Sequence, residues 1–150
     1  PQPSGGCCYL IDRTYARRLR DFLAHEGDAA LTYESAQLLA IGRHLRLPSG
    51  RKVVVGRHQQ ENEYLKRCGV AGVLLTTVDH PGPTTLLLGR PAPGEIELGA
   101  RITAGYSDGR GEPAVRVEVY RDGRGKREGS PSRSLIVEPM LKEAARELMV

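Results

Sequence analysis

The residues best equipped for chemistry lie between positions 43 and 68, in the run RHLRLPSGRKVVVGRHQQENEYLKRC. Arg43, Arg46, Arg51, Lys52, Arg57, Lys66 and Arg67 stand there against Glu61 and Glu63 alone, a net of five positive charges. Cations in such excess are what a polyanion meets first. The two halves of the chain agree with this. Residues 1–68 hold eleven Lys/Arg and seven Asp/Glu, whereas residues 69–150 hold eleven of each, so the net charge of +4 belongs to the first half. Arg43, Arg46, Arg51, Lys52, Arg57, His58, Asn62 and Lys66 are therefore the candidate contacts for phosphate, ribose or base.

Other reactive side chains offer less. Cys7 and Cys8 lie in a Gly-rich segment, where a thiolate could relay sulfur, join an iron–sulfur site completed elsewhere, or be an unconstrained linker thiol. They are the weak catalytic candidates. Cys68, at the last inward position of a helix, reads as a small buried hydrophobe. His25, His44, His58 and His80 have no ligand partner at helical spacing, and no Cys-x-x-Cys occurs, so no metal is assigned. Glu61 and Glu63 point to different helix faces, which makes them a poor acid–base pair. Asn62 can bond to ribose or base, or staple the preceding loop. Pro3-Ser4-Gly5-Gly6 is followed by a cysteine pair and preceded by no strand, so it is not an ATP-binding phosphate loop.

These residues need elements to position them. Asp12 can cap a helix with Tyr15, Leu19, Phe22 and Leu23 on one stripe, and Arg13, Arg17 and Arg20 on another face as a solvated or phosphate-tracking ridge. Thr32 starts a second short helix that runs to Ile41, with Gly42 as its left-handed stop. His44–Leu47, the Pro48-Ser49-Gly50 turn and Lys52–Val55 form a hairpin with Val53 and Val55 on one face. Gly56 permits the passage into a helix from Gln59 to Cys68, ending at Gly69, whose first-turn amides suit an anion beside Arg57. Residues 72–78 and 84–88 read as a second hairpin or two central strands, Glu95 to Tyr106 can be a helix, and Val115–Tyr120 reads as an alternating strand. A basic loop from Arg121 to Arg133 is either a further contact or disordered; strand Leu135–Val137 and an amphipathic helix from Pro139 to Val150 close the chain.

With 150 residues, one domain with its own core is expected, with 1–11 as linker, 12–43 as helical preface and 44–150 as the main domain. No apolar run reaches membrane-spanning length and no signal core stands near the start, so a cytoplasmic protein with reduced thiols is expected. One Phe, six Tyr and no Trp argue against a platform of several stacked rings. The opening Pro suggests a C-terminal part of something longer.

The run Gly56-Arg57-His58-Gln59-Gln60-Glu61-Asn62-Glu63 resembles the opening of the NFACT-R type RNA-binding domain, which carries Gly-Arg-Asp-Ala-x-x-Asn-Glu. His58 and Gln59 depart from that pattern. The likeness continues through Gly82-Pro83-Thr84-Thr85, then Ala100-Arg101-Ile102-Thr103-Ala104-Gly105-Tyr106-Ser107, then Val115–Tyr120, and covers roughly 44–138. Gly5-Gly6-Cys7-Cys8-Tyr9-Leu10-Ile11-Asp12 is similar to the junction that precedes this domain in certain tRNA 2-thiouridylase-like proteins. The resemblance implies an α+β fold with a small mixed sheet and packed helices behind two short ones. It also implies a tRNA or other structured RNA partner, and a thiouridylase-like domain N-terminal to this chain that uses ATP. The chain itself is expected to hold no cofactor and to show no activity alone. A sulfur relay through Cys7 or Cys8, and a ribosome or protein-interaction module, are the rival readings.

Overall fold

The computed structural model describes residues 13–68, 70–121 and 133–150. Cys7, Cys8, the junction through Asp12, the stop at Gly69 and most of the Arg121–Arg133 loop lie outside the described residues. Helix α1 (Arg13–Glu26), a 3-10 turn (Asp28–Ala30) and α2 (Tyr33–Leu38) come first. β1 (Arg43–Arg46), β2 (Lys52–Val55), α3 (Gln59–Arg67), β3 (Gly72–Thr77), β4 (Thr84–Leu88), α4 (Pro93–Gly105), β5 (Val115–Tyr120), β6 (Arg133–Val137) and α5 (Lys142–Glu147) follow.

The strands form one sheet in the order β1-β2-β4-β3-β5-β6, and every pairing is antiparallel. The α+β class is as expected, but the sheet is not mixed. The connections give the reason. β2 and β3 are joined through α3 and run parallel, yet β4 inserts between them; β4 and β5 are joined through α4, and β3 inserts between those. The shared β3–β4 hairpin thus separates both parallel pairs.

Alternation along the strands builds two cores. Val53, Val55, Leu75, Leu87, Val117 and Val119 face α4, where Ile96, Ala100 and Ile102 pack against them. Val54, Leu74 and Leu86 face the other way, against Leu38, against Leu65 of α3 and against Cys68 just after it. Cys68, the extended residue just after α3 rather than its last helical position, is buried and in no disulfide, the small buried hydrophobe expected of it.

Two helices end three residues short of expectation. α2 stops at Leu38, capped at its start by Thr32, whose hydroxyl accepts from the Ser35 amide at 3.1 Å. Gly42, at φ 73°, makes the predicted left-handed stop four residues on, ahead of β1. The final helix is shorter than 139–150: beyond Glu147 the backbone turns to extend the sheet edge, with Arg46 N–H donating to Leu148 O and Val150 N–H to His44 O, both at 2.9 Å. Those bonds satisfy an edge strand that would otherwise be open.

Candidate nucleic-acid interface

The segments that carry the family likeness meet at one end of the sheet. Gly56 N–H donates to Thr84 O, and Thr84 N–H donates to Asn62 Oδ1, both at 3.0 Å. The Thr103 hydroxyl donates to Thr85 Oγ1 at 2.8 Å, and Asp108 N–H to Pro81 O at 2.8 Å. The Arg43 guanidinium lies 4.5 Å from the centre of the Tyr106 ring and donates to Gly56 O at 3.4 Å. Residues distant in sequence are thereby locked into one loop cluster.

Gly56 is needed there for space. A Cβ on it would fall inside the van der Waals envelope of Asn62 Oδ1, the atom that holds Thr84. Gly56→Ala is expected to lower unfolding free energy by about 2 kcal/mol, because the buried Thr84 amide loses its acceptor. Denaturant midpoints of the variant and of Asn62→Ala should fall together, and a double variant should add little.

Glu61 organises the start of α3. Its carboxylate accepts from Arg57 N–H at 2.9 Å and takes the Arg57 side chain in two further bonds of 3.1 and 2.8 Å. Burial pushes its pKa up, but the bonds from Arg57 and from the Gly42 amide prevail and bring it to about 2. In the sequence Glu61 stands out only as half of an unsuitable acid–base pair; its position three residues into a helix, facing back to the loop, is the signal for a capping carboxylate.

The eight candidate contacts are not brought together. Arg43, Arg57 and His58 stand at the loop cluster. Arg46 and Lys52 pair with each other at the far end of the same hairpin, about three residues or 10 Å away. There they are spent on helix α1. Arg46 binds Asp21 and, at 2.6 Å, Glu26; Lys52 Nζ lies 3.5 Å from Asp21 and its side chain is 1% exposed. Neither presents charge to solvent, which corrects the expectation drawn from sequence. Arg51 is held by Glu95 at 3.1 Å and by the carbonyls of Leu88 and Arg90. Lys66 lies half-exposed along α3, 3.7 Å from Glu63. Asn62 staples the loop, the plainer of its two readings, with Oδ1 on the Thr84 amide. His44 is buried against the Leu38 and Ile41 carbonyls, and burial, with the charges of Lys52 and Arg18, holds its pKa well below the ordinary value.

The fold supplies other cations instead. Arg110, Lys142 and Arg146, all exposed and all from the half with no net charge, join Arg43 around one cleft. Net charge by segment conceals them, because their acidic sequence neighbours Glu112, Glu143 and Glu147 do not line that cleft. Among the described residues, no group of three or more His, Cys, Asp or Glu is placed to hold a metal ion. No described helix is long and apolar enough to cross a membrane.

The fold and this end of the sheet define a small α+β domain in which Arg43, Arg110, Lys142 and Arg146 gather around one cleft. A family model described as the NFACT protein RNA binding domain matches residues 42–149, and the chain belongs to that family. Among solved structures, the chain is similar in fold to the C-terminal part of the fibronectin/fibrinogen-binding protein from Streptococcus suis. The TM-score is 0.62 and identity 12%, over 91% of this chain and 67% of that one. No curated protein matches the chain in sequence.

Proposed function

We propose that this domain binds tRNA or a similarly structured RNA by its backbone and presents it to an ATP-dependent, thiouridylase-like domain that precedes it in the parent protein. The observation that carries the RNA part is membership of an RNA-binding family over residues 42–149, which include every segment of the loop cluster. The cations at that cluster outnumber its rings, and phosphates and 2′-hydroxyls are the RNA groups that Arg and Lys recognise without unstacking bases. The sulfur-transfer context rests on the junction ending at Asp12 and on its likeness to thiouridylase-like proteins, and the ATP belongs to that other domain.

Filter binding of tRNA to the chain at 50–200 mM salt tests this. Kd should rise steeply with salt, with a log–log slope near 0.7–0.9 per phosphate contact. Undetectable binding at the low end would overturn the RNA reading. Binding that ribosomal particles displace but free tRNA does not would favour a ribosome module. For the sulfur-transfer part, the isolated chain with ATP, a sulfur donor and tRNA should form no thiouridine, while the parent protein should.

A further inference from the structure

The cleft between β1, the end of α4 and α5 has a volume of about 340 Å³ and is lined by Arg43, Tyr106, Arg110, Lys142 and Arg146, with no carboxylate in its wall among the described residues. Among the described residues, none of these four cations makes an ion pair within 4 Å, whereas Arg46, Arg51, Lys52, Arg57 and Lys66 all do. Lys142 and Arg146 are four apart on α5 and so share a face. Arg43 is set in place by the Tyr106 ring at 4.5 Å, and Arg110 by the Ser107 carbonyl at 3.2 Å. Two of the cations are thus oriented before any ligand arrives.

Four like charges around one concavity repel one another, and an anion placed among them relieves that repulsion. A single phosphodiester carries one negative charge, which one cation balances. We infer that this cleft seats phosphate carrying more than one negative charge: an RNA terminal monoester, or two backbone phosphates drawn together where the strand turns. Arg43, Arg110 and Arg146 supply planar forks suited to two oxygens at once, and Lys142 a point charge at the rim. This rests on the RNA reading above and adds the place and the chemistry of the binding.

The test uses the whole chain and a fluorescent stem-loop RNA, made with a 5′-phosphate or a 5′-hydroxyl. Arg110→Gln with Arg146→Gln should raise Kd at low salt by about tenfold for each guanidinium removed and flatten the salt slope by about 0.7–0.9 for each. Arg116→Gln, exposed on β5 and outside the cleft, should leave Kd unchanged. Unaltered Tm in each variant shows that folding is intact. If removing the 5′-phosphate costs as much as the cleft variant does, the terminal monoester is the ligand; if it costs nothing, turned backbone phosphates are. Pyrophosphate, used as a probe without RNA, should raise the Tm of the parent chain and not that of the cleft variant. Wild-type binding that survives the cleft substitutions overturns this inference and leaves the RNA reading standing. Absence of RNA binding with pyrophosphate still stabilising the parent alone overturns the RNA reading and leaves an anion seat.

Discussion

Asp21→Ala lowers the unfolding free energy by about 3–5 kcal/mol, the cost of leaving a buried charge without its partner. Asp21 is the acid shared by Arg46 and Lys52, and the two cations are 10% and 1% exposed. Arg18 adds a third buried cation, donating to the Leu39 and Gly42 carbonyls at 2.9 and 2.8 Å. Once Asp21 is gone, Glu26 still holds Arg46, but Lys52 has no acid within reach among the described residues. Lys52→Met should by contrast be neutral or stabilising, because it removes the desolvated charge and keeps the packing. The two variants therefore move in opposite directions, which a simple loss of buried area would not produce.

The pH dependence separates these groups further. Burial foremost, then the charge of Arg46, lowers the Lys52 pKa to about 8, against about 10.4 in an unfolded chain. Between those values the unfolded chain binds the extra proton, so stability should rise with pH from about 8 to about 10.4, and that increment is lost as pH falls from about 10.4 to about 8. Lys52→Met should flatten this rise. Asp21 acts at the other extreme. Burial raises its pKa, but the Arg46 bond and the charges of Arg46, Lys52 and His25 together lower it below the ordinary value. Its contribution is complete above the unfolded carboxylate pKa and is lost as pH falls through the lower folded one. Urea midpoints across both ranges check each claim.

How far the sequence discloses this molecule depends on whether a signal is local. The Val53/Val55 alternation, the Thr32 cap and Gly42 each state a backbone requirement within a few residues, and each is met. Strand order is not local: that the β3–β4 hairpin inserts twice between helix-linked strands depends on which faces α3 and α4 cover. The basic segment illustrates the same limit. Its charge counts are right, but the acids that neutralise Arg46 and Lys52 stand about twenty or more residues earlier, on a helix that reads as a separate preface. Charge arithmetic over a window cannot see a partner outside it. The cleft cations are hidden for the converse reason, since Lys142 and Arg146 sit beside acidic residues in sequence that do not line the cleft in space.

Glu61→Ala should cost about 3 kcal/mol, and the loss should be felt first at the loop cluster rather than throughout the core. The carboxylate is the acceptor for the Arg57 amide, the Arg57 side chain and the Gly42 amide, so one residue joins the turn before β1, the loop after β2 and the start of α3. Deleting it strands two amide donors and frees a guanidinium that had been held on two atoms. Glu61→Gln keeps the volume and part of the hydrogen bonding, and should cost less. The acid limb gives the sign: with a folded pKa of about 2 against about 4.3 unfolded, the Glu61 contribution is present above pH 4.3 and is lost as pH falls through 2. Hydrogen exchange would show whether the effect is local. Faster exchange at Gly42, Arg57 and the first turn of α3, with the amides of β3 and β5 still protected, is the expected result. Uniform acceleration through both cores would mean that Glu61 supports the whole fold instead. RNA binding adds a second readout, because Arg57 released from Glu61 gains freedom but loses its fixed direction. If its fixed direction matters for RNA, Glu61→Gln should weaken binding although it removes a negative charge from the interface. If charge alone matters, the same change should tighten it.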